Sequence, residues 1–320
     1  LTAVAAIAPR QRVAWRDVDG ILLLDKPLGM SSNAALQQVR RLFRARKAGH
    51  TGSLDPLASG LLPVCFGQAT KVSGLLLDAD KRYTVTARLG AGTTTGDAEG
   101  AVCATAPVPP ADPALLEDVL ARFRGPILQV PPMYSALKRD GQRLYALARR
   151  GIEVERQPRS VSILELHALS WVADRLDLAV LCSKGTYIRT LVEDIAAALG
   201  TVGHVERLRR TQVGNFRDER LWRPEELEEL RTAGGEEVLS QVLLAPDAAL
   251  RHWPEVHLGT AEAAWLLQGQ AVFVAGPAGE RVRVYGPDGN FLGVGQMTPE
   301  GRRLAPLRIM LNLEPNNDGA

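Results

Sequence analysis

The chain has 320 residues, 46 % of them hydrophobic and 23 % charged, with a formal net charge of +2. That length suffices for two domains and a substantial core, and a near balance of charge leaves its distribution, not its sum, to inform about partners. No apolar run approaches the roughly 18 residues that span a bilayer, the three cysteines contain no Cys-x-x-Cys, and the five histidines show no ligand spacing. A membrane span, a disulfide framework and a structural metal are therefore not expected; a soluble cytoplasmic protein with buried free thiols is.

Residues 1–19 read as a loose leader, apolar over Leu1–Pro9 but lacking the basic n-region and long h-region of a signal peptide. Gly20–Asp25 reads as a buried strand stopped by Lys26-Pro27. Ser31 or Ser32 can cap a helix whose Ala35, Leu36, Val39, Leu42 and Phe43 follow helical spacing. Its other face carries much of a basic tract, Arg40, Arg41, Arg44, Arg46 and Lys47, which leads into the loop Gly49–Gly60. Leu61–Phe66 predicts a short strand and Ala69–Leu77 a helix. Lys81–Leu89 alternates, with Tyr83, Val85, Ala87 and Leu89 on one face, the pattern of a half-buried strand. Gly90–Gly100 reads as a Gly/Thr-rich loop with acids at Asp97 and Glu99.

Pro113–Arg124 predicts an amphipathic helix closed by Gly125, and Arg143–Arg150 another closed by Gly151. Strands follow over Ser160–Leu169 and Arg175–Cys182. Lys184-Gly185-Thr186 turns the chain into a helix that runs to about Leu199, and a strand is expected near Val205–Val213. The acid-rich segment Pro224–Glu237 predicts a helix and a hinge. Beyond Trp253 come a short helix, Ala261–Leu267, and short strands at Val272–Val274, Arg281–Tyr285 and Phe291–Val294, separated by Gly-Pro-Ala-Gly and Pro-Asp-Gly-Asn. This spacing suggests a small β-barrel or sandwich, before a polar tail at Pro315–Ala320. The expected fold is α/β (α+β): a mixed, largely antiparallel sheet flanked by helices, plus a small C-terminal β-barrel. The expected divisions are a leader over 1–19, a main domain over 20–250 and a small domain over 251–315.

Charge is uneven along the chain. Lys26 to Leu54 holds six Lys or Arg and no acid; Lys138 to Arg159 holds seven bases against three acids; Glu225 to Glu237 holds six glutamates against one arginine. Such tracts suggest a footprint for a polyanion, with solvated helix faces as the equal alternative.

Within Gly49–Gly60 the one acid is Asp55. A lone Asp in a Gly-rich loop is most often a turn residue satisfied by backbone amides. Pro56 restricts Asp55 to extended or turn geometry, and Gly49, Gly52 and Gly60 allow a bulky ligand to approach. A carboxylate so placed can act as nucleophile, general base or metal ligand. The sequence offers no obvious partner acid for a two-carboxylate glycosidase or an Mg²⁺ site, which leaves covalent or single-base catalysis. Tyr83, behind Lys81 and Arg82, reads as core or as a stacking platform. Lys184–Thr190 is a strand-to-helix junction whose amides attract anions; Arg189 there can pair bidentately with a buried carboxylate and hold it ionised, or lie on the surface while Tyr187 caps the core. His50 alone reads as a loop side chain. A P-loop, a dinucleotide-binding Gly-x-Gly-x-x-Gly and local Ser-His-Asp or Cys-His motifs are absent from the sequence.

The strings Gly-Ile-Leu-Leu-Leu-Asp-Lys-Pro (20–27), Met-Ser-Ser-Asn (30–33), Gly-His-Thr-Gly-Ser-Leu-Asp-Pro-Leu-Ala-Ser-Gly (49–60), Asp-Lys-Arg-Tyr (80–83), Pro-Met-Tyr-Ser-Ala-Leu-Lys (132–138) and Cys-Ser-Lys-Gly-Thr-Tyr-Ile-Arg-Thr (182–190) resemble, in order, the motifs of the bacterial TruB family. These are tRNA pseudouridine synthases acting on the T-loop uridine, position 55. The resemblance covers about residues 18–215. It implies that Asp55 is the nucleophile, that Tyr83 stacks on the target base and takes part in proton transfer, and that Tyr187 is a second active-site tyrosine. It further implies that Arg189 pairs with Asp55, that His50 fills the space left by the flipped base, that Leu208 walls an apolar pocket, and that Lys26 and Pro27 support the catalytic loop. The C-terminal β-rich segment resembles the PUA RNA-binding domain of the same family. The expected partner is the T arm and loop of tRNA, bound by a monomer, with no cofactor, no metal and no membrane. Attack at the ribose or at the base stays open, and Gly90–Gly100 and Met133–Gly151 are expected to close over RNA. Two other classes are a tRNA-refolding RNA chaperone and a nucleoside hydrolase that releases uracil.

Overall fold

The structure, a computed structural model, describes residues 14–310 apart from 136, 140 and 218. The start of the expected leader and the polar tail lie outside the described residues. Residues 14–19 are tied down and not loose: Arg16 N donates to Arg44 O at 2.8 Å, Arg46 N donates to Arg16 O at 2.9 Å, and Val18 is buried.

The chain opens with β1 (Gly20–Lys26), α1 (Ser32–Leu42), β2 (Ala48–His50) and β3 (Ala58–Phe66). β1 pairs antiparallel with β3 along its length, from Gly20 opposite Phe66 to Lys26 opposite Gly60. Core lies on both faces of these strands, which is why they read as continuous apolar runs without alternation. Ser31 caps α1, its hydroxyl accepting from Ala34 N. Where one helix was expected over Ala69–Leu77, the chain makes a 3₁₀ turn, Gly67–Lys71, and then α2 (Ser73–Asp78). The Thr70 hydroxyl donates to Gly67 O and the Ser73 hydroxyl to Thr70 O, both at 2.7 Å, and such bonds compete with the helical ladder.

β4 (Lys81–Leu89) follows with the predicted alternation. The supposed loop Gly90–Gly100 begins with β5 (Ala91–Thr93), which pairs with β6 (Val102–Thr105). Next come α3 (Pro113–Phe123), β7 (Gly125–Gln129), the small hairpin β8 (Lys138–Arg139) and β9 (Gln142–Arg143), and α4 (Leu144–Ala148). β10 (Arg159–Val172) and β11 (Arg175–Cys182) form a long hairpin, followed by α5 (Ile188–Ala198), β12 (Gly203–Val213) and α6 (Pro224–Ser240). The C-terminal part holds β13 (Glu255–His257), α7 (Thr260–Leu267), β14 (Val272–Phe273), β15 (Arg281–Tyr285), β16 (Phe291–Met297) and β17 (Arg303–Ile309).

The main sheet runs β1-β3-β12-β4-β11-β10-β7, with β2 added to β3. Its pairs are antiparallel except β12 with β3, so the expectation of a mixed, largely antiparallel sheet holds. α3 and α5 cover one face of its middle, where Val85, Leu178, Leu191 and Ile195 meet. α1 and α6 cover the β1–β3 end. The acid-rich segment expected as a hinge is therefore part of this core: Leu227 and Leu239 of α6 are fully buried there. The C-terminal strands form a five-stranded sheet, β13-β15-β16-β17-β14, with two strands, β13 and β17, that the sequence spacing did not mark. Val294 and Met310 from this part pack with Ile21, Phe216 and Leu250, joining it to the first. Among the described residues no helix is long and apolar enough to cross a membrane.

Candidate active site

Asp55 sits on the loop between β2 and β3, and that loop is clamped from several sides. Leu54 N donates to the Ser32 hydroxyl at 2.7 Å, fixing the loop to the start of α1. Gly29 N donates to Pro56 O at 2.9 Å, and Ala58 N closes the turn onto Asp55 O at 3.0 Å. Lys26, fully buried at the end of β1, donates through Nζ to Pro27 O at 2.8 Å and Met30 O at 2.7 Å, with Pro56 O at 3.5 Å. Burial pulls its ammonium down to about 8, so it is still mainly charged at neutral pH. Lys26 Nζ thus ties down the turn between β1 and α1 and reaches the Asp55 loop only through Pro56 O.

The Asp55 carboxylate makes no hydrogen bond to a backbone amide among the described residues, so the turn-residue reading does not describe it. It meets Arg189 Nη2 at 2.9 Å and opens into a cleft of about 750 Å³. Arg189, in the first turn of α5, is nearly buried. It also donates to Thr95 O at 2.8 Å and Tyr134 O at 2.7 Å, and lies 3.6 Å from Asp97. The expected bidentate pair is therefore a shared one, because the fork is divided among two carboxylates and two carbonyls. The expectation that Arg189 simply holds Asp55 ionised is also corrected. Burial is the largest influence and raises the Asp55 carboxyl above its usual value; Arg189 opposes it, and Asp97 reinforces it.

Asp97 and Glu99 also correct the idea that Asp55 has no neighbouring acid. Both line the same cleft, brought there by the β5–β6 connection. Among the described residues no group of three or more His, Cys, Asp or Glu is placed to hold a metal ion.

Tyr83 lies on the sheet face beneath the loop, 9 % exposed, packed with Leu54, Ala58 and Leu208. Burial raises its phenol above the usual value, so it is neutral at pH 7. Tyr187 forms the N-cap of α5; its amide donates to Gln129 Oε1 at 3.0 Å, and its phenol is likewise raised by burial. Leu208 belongs to the same core cluster as Tyr83 and lines a second groove with Leu57, Ser59 and Thr84; it is not among the residues that line the Asp55 cleft. His50 lines the cleft, its imidazole held below its ordinary value by burial and by Arg210, and its buried Nδ1 has no partner.

Sequence reasoning did not assign roles to Asp97, Glu99, Tyr134, Tyr145, Arg149 or Arg210. The first five line the cleft. Their signal was weak: two acids in a glycine-rich loop, and aromatics interleaved with bases over 134–149.

Three family models match consecutive stretches of the chain. Residues 40–188 match the N-terminal domain of the TruB family pseudouridylate synthases, residues 189–251 the tRNA pseudouridylate synthase B C-terminal domain, and residues 254–310 the C-terminal segment of pseudouridine synthase II TruB. A protein named tRNA pseudouridine synthase B from Stutzerimonas stutzeri (strain A1501) is 54 % identical over 296 residues, covering 92 % of this chain and 96 % of that one. One of the same name from Aeromonas salmonicida (strain A449) is 51 % identical over 309 residues, covering 94 % and 96 %. Among solved structures, a chain from a Cbf5-Nop10-Gar1 complex superposes with a TM-score of 0.71 at 25 % identity, covering 91 % of this chain and 84 % of that one. With these matches laid over the Asp55 loop and its surroundings, the chain belongs to the TruB family of pseudouridylate synthases.

Proposed function

We propose that this protein isomerises the uridine at position 55, in the T loop of tRNA, to pseudouridine. The observation that carries the reading is one carboxylate, Asp55, ion-paired with a buried arginine at the wall of an open cleft, in a chain more than half identical to proteins named for that activity. The reaction breaks the bond from ribose C1′ to N1 and makes one from C1′ to C5. A proton leaves C5 and one is taken up at N1. Nothing is oxidised and no water is added, so the chemistry calls for no electron carrier and no hydrolytic metal.

The uridine must first leave the T-loop stack, at a cost of a few kcal/mol. Stacking on aromatic rings offsets this by roughly 1–3 kcal/mol per base. Tyr83 serves as the stacking ring and, as a neutral phenol, as a proton donor or relay. Tyr187, at the N-cap of α5 beside Arg189, is a second aromatic of the site, Leu208 shares the core cluster with Tyr83, and neutral His50 takes the space the base leaves. Asp55 is the nucleophile at C1′ or at the base. Arg189 orients it and balances its charge. The working unit is a monomer in the cytoplasm, where tRNA is processed, with residues 20–250 catalytic and 251–315 a PUA-like RNA-binding domain.

The direct test uses tRNA carrying tritium at uridine C5. Isomerisation at one site releases a single tritium per tRNA into water, with no free uracil, and none when position 55 is cytidine. Free uracil would favour a hydrolase; tRNA binding without tritium release would favour a chaperone.

A further inference from the structure

Arg210, on β12, heads the fully buried side chains and is 1 % exposed. A buried guanidinium is costly unless a carboxylate answers it. Among the described residues none forms an ion pair with Arg210. The titratable groups near it are Lys26, Lys81 and His50, each of which its charge disfavours in the protonated form, and the Tyr83 phenol. Lys81 is itself spent on carbonyls, donating to Leu77 O at 2.6 Å and Ala79 O at 2.5 Å.

What Arg210 does have is a pair of backbone acceptors on either side of Asp55. Its Nε donates to Leu61 O at 2.8 Å, and its Nη2 donates to Gly52 O at 3.1 Å. Two glycines make this fit. Gly52 has φ +92°, and a Cβ there would stand 3.6 Å from Arg210 Nη1, so the loop lies directly over the guanidinium. Gly60 has φ +99°, and a Cβ there would run into the Arg210 carbonyl. The same guanidinium lies beside the Tyr83 phenol, on the strand paired with β12.

We propose that Arg210 is a positioning residue, whose guanidinium fork pins both ends of the Asp55 loop to β12 and sets the loop in register with Tyr83. It touches no substrate. Two nitrogens of its planar fork, Nε and Nη2, hold Leu61 O and Gly52 O separately; a lysine ammonium is a compact point charge without that fixed spread, and a glutamine amide carries fewer donors. The inference rests on the isomerase reading.

The test is single-turnover tritium release by Arg210→Lys and Arg210→Gln, with tRNA affinity and unfolding midpoint measured beside it. The glutamine variant removes the buried charge, so it gives a folded alternative if the lysine variant is unstable. The expected result is a rate constant lower by about tenfold or more, with complete amplitude and a tRNA Kd within about twofold of the parent. A purely structural role would lower the amplitude with the folded fraction and leave the rate constant unchanged; that result overturns the proposal. So does failure of both variants to fold, which would assign Arg210 to folding alone. A parent enzyme that releases no tritium would instead remove the isomerase reading itself.

Discussion

Asp55 and Asp97 share one guanidinium: Arg189 stands 2.9 Å from the first and 3.6 Å from the second. The burial that raises the Asp55 carboxyl makes its ionisation costly in the folded state. The sign follows from linkage: a folded-state pKa above the unfolded one means the folded protein binds more protons in that window, so stability falls as pH rises through it. A nucleophilic Asp55 must be ionised, so the acid limb of kcat/KM is expected above the ordinary aspartate value of 3.8, measured by a pH–rate profile on tRNA. Arg189→Lys keeps a charge but loses the fork that divides Thr95 O, on Nη1, from Tyr134 O and Asp55, on Nη2. Its kcat is expected to fall about 10²-fold, the scale of a small misplacement of a reacting group, with an acid limb shifted upward. The pairing of Arg189 with Asp55 was legible through the resemblance, but the shares taken by Asp97, Thr95 O and Tyr134 O were not. Asp55, Asp97, Tyr134 and Arg189 come from four separate stretches, and their meeting depends on β4, β12 and α5 being in place.

At the scale of elements, periodicity was a good guide wherever one face is buried. α1, β4, α3, β11 and α5 lie where spacing put them, because each buries a single stripe against the sheet. It failed where local polar chemistry decides. β5 and β6 are short, β6 is exposed along its length, and neither carries the apolar alternation that marks a strand. The break before α2 comes from hydroxyls bonding back to carbonyls. The parallel pairing of β12 with β3, which brings Arg210 beside Gly60 and so under the Asp55 loop, leaves no sequence signal except that glycine. Gly60→Ala places a Cβ both in the left-handed region and against the Arg210 carbonyl. It is expected to cost about 2 kcal/mol or more, seen as a lower urea midpoint with an unchanged m-value.

For the molecule as a whole, the basic tract before the Asp55 loop is less available than its composition suggests. Arg44 pairs with Glu236 and Arg46 with Asp17, each at 2.8 Å, and Arg40 lies over Trp15 while bonding the carbonyls of Ala45 and Arg46. Much of that charge holds the N-terminal segment and α6 in place. Arg149, exposed at the rim of the cleft and over the Tyr145 ring, is better placed for a phosphate. Arg149→Gln is expected to weaken tRNA binding uniformly across sequences and to lower the slope of log K against log salt by about 1, read from a salt titration. The central claim is that a tRNA delivered to this cleft is isomerised by Asp55, and Asp55→Asn with tritiated tRNA tests it most directly. The variant keeps the loop's clamps and leaves Arg189 with Asp97 and its two carbonyls. It is expected to bind tRNA as the parent does, to unfold no earlier, and to release no tritium; release at the parental rate would contradict the account.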